Sequence, residues 1–258
     1  MIKLFFDLPV VWMTLIVVAG LAVVSLLTCG AVLALATGKR APAMKAMSPV
    51  MLTPLAVVFG LIVGFLSAEV WNDAERANAA VIREAGALGT VVLLAASFPG
   101  ENEAQIRALV RRHILDAVSE EWPAMARQQT TLAMTTAADT RALELALSLR
   151  PATEAQSIAP HEMVSALRAA LDARRERIIV SRAKINWVKW TVVLVLAYLI
   201  LLTIAIVHSD NRTTAAIAMG IFSVAVAACV VLIASHNRPF TGQISVAPDL
   251  LLQVMPKE

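Results

Sequence analysis

The chain has 258 residues, of which 59% are hydrophobic and 16% charged, and its mean hydropathy is +0.73. Soluble domains carry about 25% charged residues, so this composition points to an integral membrane protein. A net charge of +3 is too small to argue for a nucleic-acid partner, and two cysteines, Cys29 and Cys229, exclude a disulfide framework.

Four apolar runs are each near or above the ~20 residues that cross a bilayer as a helix: about Pro9 to Ala36, Ser48 to Ala68, Trp187 to Val207 and Thr213 to Ala234. Met1 to Leu8 reads as a short interfacial piece, and the apolar run that follows is too long for a signal peptide and reads as a retained anchor. Pro9 suits the first turn of the first span, and Trp12 suits an interfacial anchor. The connection Thr37 to Pro42 ends that span.

The second run organises the rest. It carries no charge before Glu69 and no proline between Val70 and Ala96, so one helix is expected to run through and beyond the bilayer until Pro99-Gly100 stops it. Pro54 predicts a local kink. Ala74, Asn78, Val81, Ala85, Leu88, Val92 and Ala95 follow the alternating steps of a packed helix seam. Asn78 then reads as a register-setting polar residue or a solvated edge. Gly60 and Gly64 are four apart, a spacing that admits a second helix either within one subunit or between subunits. Glu69, Asp73 and Glu75 cluster where the helix leaves the apolar run. They read as a solvated helix end paired with Arg174 to Lys184, or as an acidic ring at a pore mouth that favours cations.

A second soluble helix is expected from Glu101 to Glu120, with an apolar stripe of Ile106, Val110, Ile114 and Ala117, broken or turned at Glu120 to Pro123. A third covers about Met125 to Leu149. A long pattern through Val164, Leu167, Leu171, Arg174, Ile178, Ser181, Ile185 and Val188 is expected to continue unbroken into the third span. His208 to Asn211 makes the third and fourth spans an antiparallel hairpin. The fold expected is all-α: four transmembrane helices, with a cytosolic helical bundle formed by extensions of the second and third spans. The expected divisions are 1–69, a first transmembrane pair; 70–185, the bundle; 186–235, a second pair; and 236–258, a cytosolic tail.

Four spans put both termini and the bundle on one side. Ten basic residues lie near the membrane there (Lys3, Arg76, Arg83, Arg174, Arg175, Arg177, Arg182, Lys184, Lys189 and Arg238), against Lys39, Arg40, Lys45 and Arg212 on the other. The count favours a cytoplasmic bundle and a plasma-membrane location, although the short first loop alone votes the other way. The segment from Glu69 to Lys184 is itself nearly neutral, with 15 acidic and 14 basic side chains.

The four histidines, His113, His161, His208 and His236, lie in different elements without metal-ligand spacing, so no metal or other cofactor is expected. His113 reads as a bundle histidine. No phosphate loop, dinucleotide fingerprint or nucleophile elbow occurs, which argues against an enzyme. No acid or base sits mid-span, which demotes proton-driven transport; a passive conduit needs none, because a hydrophobic constriction can gate by dewetting.

Three stretches together resemble the bacterial bestrophin-like membrane proteins. They are Trp71 to Glu75 with Glu84 to Leu88, Glu120 to Met125, and Asn237 to Gly242 with Ser245 to Pro248. The resemblance implies a pentameric homo-oligomeric channel for inorganic ions in the lipid bilayer, with cytosolic termini and a pore lined by the second helix. Carried over by position, the lining would be Val57, Leu61, Gly64, Phe65 and Ala68, with Glu69 and Asp73 at the mouth. Arg238, Pro239, Phe240 and Gly242 match the family's tail motif. The acidic calcium clasp of animal bestrophins has no counterpart in this sequence. A non-conducting scaffold or sensor acting through the bundle is the alternative.

Overall fold

In the computed structural model, the described residues are 8–35, 47–132 and 137–257. They form nine α-helices with three short 3-10 or π turns, and no strand occurs among them. The expected interfacial piece at Met1 to Leu8 and the connection at Thr37 to Pro42 fall almost wholly outside the described residues.

Among the described residues, four helices are long and apolar enough to cross a membrane. They are α1 (Val10–Leu35), α2 (Leu52–Ala95), α7 (Trp187–Val207) and α8 (Arg212–His236). The helix α2 runs 44 residues without interruption, and Pro54 does not end it. Pro54 is its third residue, where the missing N–H has no intrahelical partner to lose. Between α7 and α8 the side-chain oxygen of Asn211 accepts from the backbone N–H groups of Thr213 and Thr214, capping α8.

The remaining helices are α3 (Glu101–Asp116), α4 (Trp122–Ala126), α5 (Ala137–Ser148), α6 (Ala159–Ser181) and α9 (Asp249–Gln253). The break or turn expected at Glu120 to Pro123 takes the form of a change of helix type, and the chain stays helical. A π-turn over Ala117–Glu121 joins α3 to α4, with the Trp122 N–H reaching back five residues to the Ala117 carbonyl. Such a turn inserts a residue into the helix, and Glu121 and Trp122 both become buried here. The third soluble helix is α5 alone, shorter than the expected span from Met125; Met125 belongs to α4.

The long pattern through Val188 does not continue into the third span. It stops at Ser181, and α7 starts afresh at Trp187. Three polar contacts hold the break. Arg182 donates to the Thr130 carbonyl, the Ile185 N–H donates to Asn237 Oδ1 at 2.8 Å, and Asn186 caps α7 by accepting from the Val188 N–H.

The chain divides into two compact units. Residues 1–71 and 184–237 form one. Its core gathers Val32, Phe59, Leu66, Val70, Val193, Ile200, Ile204, Met219 and Val226. Residues 72–183 and 238–258 form the other, with a core of Val81, Leu88, Ile106, Ile114, Met125, Met163, Leu167, Ile178, Phe240 and Leu251. In the second unit each large apolar side chain removed from water stabilises by about 1.5–3 kcal/mol.

The candidate pore face and a buried chain of charges

In the first unit α2 has two faces. Phe59, Leu66 and Val70 are buried against the other spans, and Phe59 meets Phe222 of α8 with ring centroids 6.2 Å apart. Val57, Leu61 and Phe65 lie on the other side and are 59%, 53% and 67% exposed. Gly64 and Ala68 share that exposed side. A Cβ added at Gly60 or Gly64 would meet nothing within 4 Å. Among the described residues no helix packs closely on either glycine.

The acidic candidates have partners other than those expected. Lys189 of α7 donates from Nζ to both carboxylate oxygens of Glu69, each at 2.6 Å. Asp73 pairs with Arg76 one turn further along its own helix. Neither meets Arg174 to Lys184. Asn78 is exposed, so the seam does not pass through it. The buried line of α2 instead runs Ala77, Val81, Glu84, Leu88, Val91, Ala95, alternating steps of four and three with a carboxylate in the middle.

That carboxylate belongs to a feature the sequence reading missed. Six ionisable side chains run through the core of the second unit in alternating sign. Asp139 of α5 meets His113 Nδ1 at 2.5 Å, and His113 Nε2 meets Glu84 Oε1 at 3.0 Å. Arg177 of α6 clasps Glu84 with Nε to Oε2 at 2.7 Å and Nη2 to Oε1 at 3.0 Å. Its Nη2 also donates to Glu121 Oε2 at 2.8 Å, and Arg174 Nε donates to Glu121 Oε1 at 2.7 Å. All six side chains are buried. Burial alone would lower the His113 pKa, but hydrogen bonds to Asp139 and Glu84 and their charges hold it up at about 9. At neutral pH His113 is thus an imidazolium donating from both nitrogens, and three cations face three carboxylates. The chain ties α2, α3, the π-turn, α5 and α6 together. No group of metal-ligand type was found among the described residues.

Arg174 and Arg177 are therefore core residues, which removes two of the ten cations from the near-membrane count. The only available signal for them was the burial-type spacing of Arg174 within the α6 pattern.

The tail motif packs against the end of this chain. Arg177 Cζ sits 4.5 Å from the Trp122 ring centroid, and Phe240 meets Trp122 edge-on at 5.7 Å. Trp122 Nε1 donates to the Val246 carbonyl, Thr241 Oγ1 donates to the Ala126 carbonyl, and the Val246 N–H bonds the Pro239 carbonyl. Gly242 has φ 91°, a backbone region that favours glycine, so the turn after Phe240 suits this residue. Arg238 is half-buried beside Pro239.

The model of the bestrophin-like domain matches residues 19–251. The chain belongs to the bestrophin-like family. Its fold is shared by solved structures of low sequence identity. A mutant of a bacterial bestrophin homologue from Klebsiella pneumoniae superposes with a TM-score of 0.72 at 12% identity, covering 94% of this chain and 97% of that one. A second mutant described in the same way gives 0.70 at 11% identity, with 94% and 96% covered. A mutant described as a membrane protein gives 0.69 at 11% identity, with 94% and 96% covered. No curated protein matches the chain.

Proposed function

We propose that the protein is a passive homo-oligomeric ion channel of bestrophin-like type in the plasma membrane. Each copy contributes the apolar face of α2 to a shared pore, and a ring of five is the assembly expected from the family. The observation that carries this reading is the unpartnered face of Val57, Leu61, Gly64, Phe65 and Ala68 on a helix whose opposite face is buried. A ring of such faces encloses a narrow apolar path, where Leu61 and Phe65 form a constriction that opens by wetting. The helical unit of residues 72–183 and the tail lie on the cytoplasmic side.

Glu69 and Asp73 stand near the mouth of this path. Their pairing with Lys189 and Arg76 offsets much of their charge, so selectivity for cations is weak. Ion flux into liposomes tests the reading. Leu61→Ala and Phe65→Ala raise flux through an intact assembly; unchanged flux in both removes this lining face.

A further inference from the structure

Within the first unit, α1 and α8 border a half-open cavity of about 330 Å³ that nothing above uses. Its walls include Cys29, Met219, Gly220 and Val224, and its polar atoms come from Ser25 and Ser223. Both serines lie far from the ends of their helices, at the depth of the hydrocarbon core.

Two observations mark these serines. Several other hydroxyls in the spans, such as those of Thr14, Thr28, Thr191 and Thr203, donate to the carbonyl four residues earlier. Ser25 and Ser223 instead face each other across the helix pair at 2.8 Å. One hydroxyl donates to the other, which leaves the second hydrogen with no acceptor among the described residues. In a water-free core an unsatisfied hydroxyl is costly, so an acceptor brought in by a ligand is favoured there.

The cavity also faces a definite way. Gly220 and Val224 lie two residues to either side of Phe222, about 200° around the helix, so they are on the face roughly opposite to it. Phe222 points at Phe59 of α2, and the exposed Leu61 and Phe65 lie on the far side of α2 from Phe59. If α2 turns its exposed face to a pore axis, as proposed above, the cavity opens on the lipid side of the assembly.

We infer that this cavity is a binding site for a small lipophilic molecule carrying one hydrogen-bond acceptor, anchored by the Ser25–Ser223 pair and reached from the bilayer. The hydrocarbon body fills the apolar walls, and a hydroxyl, ether or carbonyl oxygen takes the free serine hydrogen. A phospholipid chain fits less well, because its ester oxygens sit at headgroup depth rather than beside the serines.

The test uses the purified full-length assembly and a diazirine derivative of octanol, with adducts mapped by mass spectrometry. Adducts are expected on α1 and α8 at the cavity walls. Octanol should compete about fivefold better than octane, the worth of one neutral hydrogen bond. Ser25→Ala combined with Ser223→Ala should abolish that preference. Gly220→Leu, whose new side chain enters open space, should remove the label while the assembly elutes unchanged. Equal competition by octane, labelling that survives Gly220→Leu, or no labelling of an intact assembly because a second copy seals the site would each overturn the inference. Labelling does not depend on conduction, so a labelled but non-conducting protein contradicts the channel reading and leaves the site standing.

Discussion

Arg177 clasps Glu84 with two hydrogen bonds, at 2.7 and 3.0 Å, and both side chains are fully buried. The two residues come from α2 and α6, far apart in sequence. Taking two charges out of water costs several kcal/mol each, and only a complete set of partners offsets it. The partners here are His113 and Asp139 at one end and Glu121 and Arg174 at the other. This explains why a helix that begins as a membrane span can carry a carboxylate on its buried seam further along.

Removing one partner should therefore cost more than the pair contributes. Glu84→Ala leaves Arg177 and His113 each short of a carboxylate and should destabilise the protein by about 3–5 kcal/mol. Thermal unfolding of purified protein checks this. A loss below about 1 kcal/mol, the level of an exposed pair, would show that the chain is solvated in the protein.

The His113 imidazolium makes stability depend on pH. Its pKa is about 9 in the fold against 6.5 ordinarily, a rise. A raised pKa adds stability that is full below about 6.5 and is lost as pH climbs through about 9. A rise of this size corresponds to a few kcal/mol. The melting temperature should fall between pH 7 and pH 10, and His113→Gln should flatten that slope. An equal slope in the variant would assign the effect to other groups.

Much of this architecture was legible in the chain, and the failures have physical causes. The spans were readable because lipid demands long apolar runs; the third run coincides with α7, although its helix is expected from sequence to continue from the preceding one. Val81, Ala85, Leu88 and Ala95 were placed correctly on the packed side of α2. Asn78 was placed there wrongly, because apolar spacing passes over Glu84, a charge that is buried only because of residues on other helices. The break before α7 carries no proline or glycine. Its signal was Asn186, a capping side chain just ahead of Trp187. The pore-face residues follow from position in the family, and Val57, Leu61 and Phe65 are exposed among the described residues. Nothing local in the sequence ties Phe240 to Trp122.

That pairing predicts a role for the tail. Phe240→Ala removes a buried ring from the Trp122 face and should cost about 3–5 kcal/mol. Limited proteolysis should then cut within residues 238–257 well before the helices. Protection as in the unaltered protein would mean that the other tail contacts, such as Leu251, hold it alone.

Lys189 supplies a test at the mouth of the proposed path. Lys189→Gln frees the Glu69 carboxylate from its 2.6 Å partner. Cation permeability relative to anions should rise by a few fold, since the pair is about 40% exposed and partly screened. Glu69→Gln should reverse the change. An unaltered permeability ratio in both would place Glu69 away from the conduction path.

The central claim is that α2 of several copies surrounds one axis. Single-particle images of the detergent-solubilised protein measure this most directly, through subunit number and symmetry. The account predicts a closed ring, five-fold by family, with Val57, Leu61 and Phe65 of every copy turned to the axis. A monomer, or a two-fold dimer with no axial path along these residues, would contradict it.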